Sequence, residues 1–395
     1  WRSCDGGKTW LRIWHKELAG SVMDPTDAFN WPATEGLEWM TIELVPGETT
    51  PMTIYMADLG TETVWTSKAS GDACCPAGLG CWTDRNTGLG NWDFGEGDLG
   101  IADIAVLDES TIYAVAFNAD MVKSTSGGRH WSSQVDTKVD DDTGEWAHHM
   151  VVWGDWVLVG GTMGTVTYSE DGGDSFKVLD DIGGGTDHVH VAFDSYFDDN
   201  GYIYAALAGE DAGVYRTTID DADFEDMDAC DAVNYWGIEV SDADGNPKTS
   251  ASTGGVLYAS YNGTGDIADN SDCANAGVAR ILNPAAQDCC GSLSWDYLWE
   301  DLWVYAFAHG QVNNIALCGD ASGGATTIFV IDVAPREEGD SYWAGWDSCY
   351  AKLYDSNVGR LWKFNDVFSK SGPALISVAN GATIPSDPCD CVNED

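Results

Sequence analysis

One pattern recurs along the 395 residues and restricts the fold more than any other feature. A β-branched and aromatic run leads into a Gly- or Asn-containing turn and a second such run. The pair often ends in a polar Gly-Gly turn closed by Trp or Phe. These hairpins begin near residues 54, 111, 156, 202, 256, 327 and 374, at spacings of 45 to 71 residues. Their runs alternate or are wholly apolar over short lengths, which is strand behaviour, and no stretch sustains a helical period long enough for a substantial helix. A further strand precedes most hairpins: MTIELV (40–45), IADIAVL (101–107), AHHMVVW (147–153), HVHVAFD (188–194) and VNNIALC (312–318).

Four strands repeated in series bury their faces only by stacking on neighbouring units. Radial repetition of such sheets leaves short, protected edges. The sequence therefore predicts an all-β fold, a seven-bladed β-propeller of four-stranded antiparallel blades occupying residues 1–395 as one domain. The run ALISVANG (374–381) reads as the start of a seventh hairpin with no outer pair, and WRSCDGGKTW (1–10) as an outer pair with nothing before it. Residues 1–10 are thus expected to complete the last blade and close the ring, with Cys4 bridged to Cys389 or Cys391.

Two octapeptides, SCDGGKTW (3–10) and SEDGGDSF (169–176), share one pattern, and STSGGRHW (124–131) follows it with Ser126 in place of the Asp. These residues resemble the Asp-box, or BNR-repeat, β-propellers, a superfamily that includes sialidases, sortilin-type receptors, xyloglucan-degrading glycosidases and photosystem assembly factors. The resemblance implies the fold and leaves the chemistry open, because its members share little activity. The motif has a physical basis: Gly6–Gly7 and Gly172–Gly173 supply positive φ without a Cβ clash. Ser3, Asp5, Ser124, Ser169 and Asp171 are placed to satisfy the backbone N–H groups of the turn. Trp10, Trp131 and Phe176 are expected to plug the space between sheets. The carboxylates of these turns are therefore read as structural.

The chain carries 18 basic and 65 acidic residues, a formal charge of −47, and its acids are 48 Asp against 17 Glu. Such a field repels nucleic acid and anionic membrane surfaces. No apolar run is long enough to span a bilayer, so no membrane insertion is expected. Twelve cysteines, none in a CxxC spacing, lie mostly in Gly-, Asp- and Pro-containing loops. That usage points to a disulfide-bonded chain in an extracellular, secreted or cell-surface location, with any secretory leader already removed. Asn262-Gly263-Thr264 is the one glycosylation sequon, read as an exposed loop.

Two kinds of metal site are conceivable. Asp242, Asp244 and Asn246 offer alternating oxygens suited to calcium, although the spacing is not that of an EF-hand. His149 and His190, like Asp103 and Asn314, each precede the apolar triplet of an inner strand, and imidazoles at similar depths suit a transition metal. Enzyme readings fare less well. The sialidase resemblance implies a convergent set of arginines, whereas the eight here are scattered, several within outer-strand runs. A glycosidase needs two carboxyls flanking the bond, and 65 acids single out no pair. The reading is a non-enzymatic extracellular or cell-surface structural or interaction protein: a surface-layer, sheath or filament subunit, or a recognition module. Its partners would be other copies of itself, surface proteins or glycans. The alternative is a secreted glycoside hydrolase or lyase acting on a polysaccharide.

Overall fold

A computed structural model describes residues 40–46, 53–58, 63–67, 83–85, 100–139, 146–179, 182, 188–209, 211–229, 233–241, 255–262, 277–282, 284–285, 295–298, 311–318, 326–333, 359–366 and 374–378. They form six four-stranded sheets, each a plain antiparallel meander in chain order. The chain divides into two compact units, 1–181 and 182–395.

The first unit holds three sheets. Sheet one comprises β1 (Met40–Leu44), β2 (Ile54–Asp58), β3 (Thr63–Ser67) and β4 (Thr83–Asp84). Sheet two comprises β5 (Ile101–Val106), β6 (Ile112–Ala116), β7 (Asp120–Ser124) and β8 (Val135–Asp136). Sheet three comprises β9 (Ala147–Trp153), β10 (Trp156–Gly161), β11 (Val166–Ser169) and β12 (Lys177–Val178). Alternation along these strands gives each sheet two apolar faces. Ile104, Val106, Ile112 and Ala114 of sheet two pack with Tyr55, Ala57 and Val64 of sheet one. Ala105, Tyr113, Val115 and Met121 on the opposite side pack with Met150, Val157, Val159 and Phe176 of sheet three.

The second unit repeats the plan. Sheet four comprises β13 (Val189–Phe193), β14 (Tyr202–Leu207), β15 (Gly213–Thr218) and β16 (Glu225–Asp226), with the one-turn helix α1 (Phe197–Asn200) between its first two strands. Sheet five comprises β17 (Asn234–Ser241), β18 (Val256–Asn262), β19 (Gly277–Leu282) and β20 (Trp295–Tyr297). Sheet six comprises β21 (Gln311–Cys318), β22 (Thr326–Val333), β23 (Gly359–Asp366) and β24 (Ala374–Val378). Tyr204, Val214 and Met227 of sheet four share a core with Tyr235, Ile238, Leu257 and Ala279 of sheet five.

Three sequence expectations change. The 374 run, expected to start a seventh hairpin, is the fourth strand of sheet six: Ala374–Val378 pairs with Arg360–Lys363 and satisfies the free edge of β23. The inner strand of sheet five, β17, falls where no inner strand is expected, because Gly237 and Glu239 interrupt its apolar alternation. Asn262 is the last residue of β18 and stands opposite Asn234, at a strand end and not within a loop. Residues 1–10 and their Ser3, Asp5 and Trp10, the calcium candidates Asp242, Asp244 and Asn246, and every cysteine but Cys318 lie outside the described residues.

Candidate functional site

The Gly-Gly turns join each third strand to its fourth. In sheet three the Ser169 hydroxyl accepts the N–H of Gly173 at 2.8 Å and donates to Asp171 Oδ1 at 2.7 Å. Asp171 in turn accepts the N–H groups of Asp174 and Ser175, both at 2.9 Å, and the Ser175 hydroxyl at 2.6 Å. The Ser175 hydroxyl foremost, with these other donors, holds the Asp171 carboxyl down at about 2. In sheet two Ser124 accepts the N–H of Gly128 at 2.9 Å, and Ser126 takes over part of the Asp171 role by accepting the N–H of His130 at 2.9 Å. Both turns are closed by donors of their own loop. Their oxygens are committed to the backbone.

These turns are also the joints between sheets. Trp131 donates its indole N–H to the carbonyl of Arg85 in sheet one at 2.9 Å, and Phe176 is buried in the core shared by sheets two and three. Lys123, on the third strand of sheet two, donates to the carbonyl of Gly172 at 2.9 Å. A Cβ on Gly173 would stand 2.5 Å from Met121 Cε, so the neighbouring sheet occupies the space that a side chain needs. Sheets four and five use the same joint without the motif: Arg216 donates to the carbonyl of Pro284 at 2.6 Å, and the Trp295 indole to that of Met227 at 2.9 Å. One register row carries the cations, Tyr113–Lys123 in sheet two, Tyr204–Arg216–Glu225 in sheet four and Tyr258–Arg280–Asp296 in sheet five. The signal for Trp295 was its place, a Trp ending the linker after a third strand.

The innermost strands carry the remaining candidates. Four of them, β5, β9, β17 and β21, are interrupted at one equivalent point, where Ala102, His148, Trp236 and Asn313 each stand out of register. A bulge of this kind bends a strand and re-aims the side chains around it. Asp103, His149 and Asn314 each follow the bulge directly. His190 sits on β13, whose register is unbroken, and is buried.

Asp103 is engaged by donors of three strands. It is buried, and its Oδ1 accepts the Thr41 hydroxyl at 2.7 Å and the Ile104 N–H at 2.8 Å, while Oδ2 accepts the Met150 N–H at 2.8 Å. One carboxylate thus ties the inner strands of three sheets together. Burial raises its pKa against the opposing pull of His149 and these donors, and burial lowers that of His149. Asp194 plays a comparable part in sheet four, accepting the Tyr204 hydroxyl at 2.6 Å, the Tyr196 N–H at 2.8 Å and Asn200 Nδ2 at 2.9 Å. Among the described residues, no group of three His, Cys, Asp or Glu is placed to hold a metal ion.

Glu239, on β17, is the carboxylate with chemical potential. Its side chain reaches solvent, yet protein surrounds it closely, and the resulting desolvation pushes its carboxyl up to about 7. A group in that range exchanges protons at neutral pH and suits general acid chemistry. On the same strand, the Trp236 ring lies 5.6 Å from that of His188, and its buried indole N–H has no hydrogen-bond partner. Neither Glu239 nor Trp236 was legible beforehand, since their strand was not recognised.

No family model and no curated protein matches the chain. Among solved structures it is similar to YCF48 from Cyanidioschyzon merolae, with a TM-score of 0.51 at 10% identity over 85% of this chain and 84% of that one. A GH74 enzyme of Niastella koreensis gives 0.48 at 13% identity over 82% of this chain, and a GH74 xyloglucanase of Xanthomonas campestris 0.49 at 14% over 85%. The chain spans 43% and 45% of those two enzymes. At such identities the likeness to YCF48 is one of fold. The chain is an all-β protein of repeated four-stranded antiparallel sheets, of the β-propeller kind.

Proposed function

We propose that this is a non-enzymatic extracellular or cell-surface interaction protein, built on a seven-bladed propeller of the Asp-box type. One observation carries the reading: Asp103, Asp108, Asp171 and Asp194, each accepting three or more hydrogen bonds, are committed to holding strands and turns. An active site would leave such groups facing substrate. Secretion, disulfides, calcium at Asp242, Asp244 and Asn246, a glycan on Asn262 and closure of the ring by residues 1–10 belong to the same proposal. The chain would act as a subunit of a surface assembly or as its recognition module.

A second reading, a secreted glycoside hydrolase, is favoured by Glu239 alone, whose carboxyl at about 7 is that of a general acid. Incubation with a panel of soluble polysaccharides, followed by reducing-end release, separates the two. The interaction reading expects no release from wild type or Glu239→Gln. Release that Glu239→Gln abolishes overturns it.

A further inference from the structure

Lys123, Arg216 and Arg280 are cations more than half buried, and each is engaged. Lys123 donates to the Gly172 carbonyl at 2.9 Å, Arg216 pairs with Glu225 at 2.9 Å and Arg280 with Asp296 at 2.6 Å. Arg85, which follows β4, is also more than half buried, yet its Nε is enclosed without an acceptor and among the described residues it has no ion pair. An enclosed guanidinium N–H without an acceptor costs stability. In a chain of 65 acidic and 18 basic residues, carboxylates are not what is lacking.

The turn beside Arg85 is basic as well. A Cβ on Gly128 would stand 3.0 Å from both Cβ and Cγ of Arg85, so the arginine stem lies along the Ser124–Trp131 turn. The Trp131 indole holds that contact through the Arg85 carbonyl at 2.9 Å. Arg129 and His130 follow Gly128, both exposed, and neither forms an ion pair among the described residues. The adjoining β5–β6 tip bonds Gly127 through the Ser110 carbonyl at 2.8 Å. Its Asp108 is occupied by Ser110 and Thr111, and its Glu109 makes no ion pair with these cations.

The equivalent turn of sheet three has the opposite charge. SEDGGDSF carries Glu170, Asp171 and Asp174 and no base. STSGGRHW carries no acid, with Arg129 where Asp174 stands and Ser126 where Asp171 stands. Ser126 still closes its turn by accepting the His130 N–H at 2.9 Å, so turn geometry does not demand the reversal. An Asp at 126 would neutralise the cations beside it with a carboxylate of the same loop. Its absence leaves Arg85, Arg129 and His130 for a guest.

Charge and surface define that guest. Guanidinium groups fork onto a carboxylate or sulfate. A net charge of −47 repels polyanions at a distance, so the oxyanion must sit alone on a molecule that is otherwise neutral. Trp131, only partly buried, sets an indole beside the cations, a surface suited to the apolar face of a sugar ring.

We infer that Arg85, Arg129 and His130 bind a carboxylate or sulfate carried singly on an otherwise neutral glycan. This rests on the interaction reading above and names the partner's chemistry. The test uses the full chain and a fluorescent neutral tetrasaccharide ending in one glucuronate, with the wholly neutral tetrasaccharide as control. Wild type binds the uronate at least about tenfold more tightly than the control. Arg85→Gln weakens uronate binding about tenfold, and Arg85→Lys recovers little of it because an ammonium lacks the fork. Ser126→Asp is the decisive variant: it supplies the acid that Asp171 gives the sheet-three turn, keeps the melting temperature at or above that of wild type, and weakens binding about tenfold. Equal binding of uronate and control, or uronate affinity unchanged in either Arg85→Gln or Ser126→Asp, overturns the inference. A peptide ending in Asp that binds as tightly as the uronate, and through Arg85, overturns it too, because the partner is then a protein. Dextran sulfate bound more tightly than the uronate overturns the single charge. Each of these failures, with no polysaccharide cleavage, leaves the interaction reading standing; cleavage that Glu239→Gln abolishes overturns that reading whatever the uronate does.

Discussion

Asp103 accepts the backbone N–H of Met150 at 2.8 Å, so that a side chain of sheet two holds the free edge of the first strand of sheet three. The same carboxylate holds Thr41 of sheet one. Removing it leaves a hydroxyl and two buried amides without an acceptor. Asp103→Ala is expected to destabilise the chain by about 3 kcal/mol. Asp103→Asn loses about half as much, because its amide oxygen serves one neighbour while its NH2 faces another donor. Denaturant unfolding measures both, and a loss below about 0.5 kcal/mol in the Ala variant would show that water replaces the carboxylate.

Glu239 gives a pH signature with a definite sign. Its folded-state carboxyl sits at about 7, above the ordinary glutamate value of about 4.3. The folded state therefore binds the proton more tightly than the unfolded chain. The stability linked to this group is complete below about pH 4 and is lost as pH rises through 7. Glu239→Gln removes that slope and is more stable than wild type at pH 8. Melting temperatures of the two proteins across pH 4 to 8 check it; parallel curves would place the carboxyl in ordinary solvent.

Gly173 marks a tight joint between sheets two and three. An added methyl meets Met121 at 2.5 Å and Tyr113 at 3.2 Å, on a backbone with φ of 89°. Gly173→Ala is expected to cost about 2 to 3 kcal/mol, from strain and overpacking together. Adding Met121→Ala opens the space without relieving the φ, so the double variant loses less than the sum of the two singles. Chemical denaturation of the four proteins of this cycle measures the coupling, and strict additivity would place the methyl away from Met121.

Trp131 and Trp295 should respond alike, although only one ends a recognisable motif. Each indole donates to a carbonyl just beyond the last strand of the preceding sheet, at 2.9 Å. Trp→Phe at either site removes that hydrogen bond and keeps most of the ring, lowering stability by about 1 kcal/mol. Unequal losses, read by thermal melts, would show that the two joints are not equivalent.

The hairpins were legible because paired apolar runs and Gly-bearing turns are local signals. The inner strand β17 was not, since its bulge at Trp236 and its Gly237 break the alternation that marks a strand. The fourth-strand role of Ala374–Val378 was hidden because an apolar run does not state which edge it will join. Among the site residues, the turn chemistry of Ser169 and Asp171 followed from composition, whereas the three-sheet role of Asp103 depends on contacts 47 and 62 residues away in sequence. The desolvation of Glu239 likewise comes from packing that no single strand encodes.

Lys123 and Arg216 grip backbone oxygens in the sheet that follows each of them, Gly172 in one case and Pro284 in the other. Any amino acid can present a carbonyl. A fastening that is blind to side chains lets the sequence of the gripped loop drift without loosening the assembly, so the recognisable octapeptide can erode while the architecture persists. Ancestry in such a protein is better preserved in the spacing of its strands than in its letters.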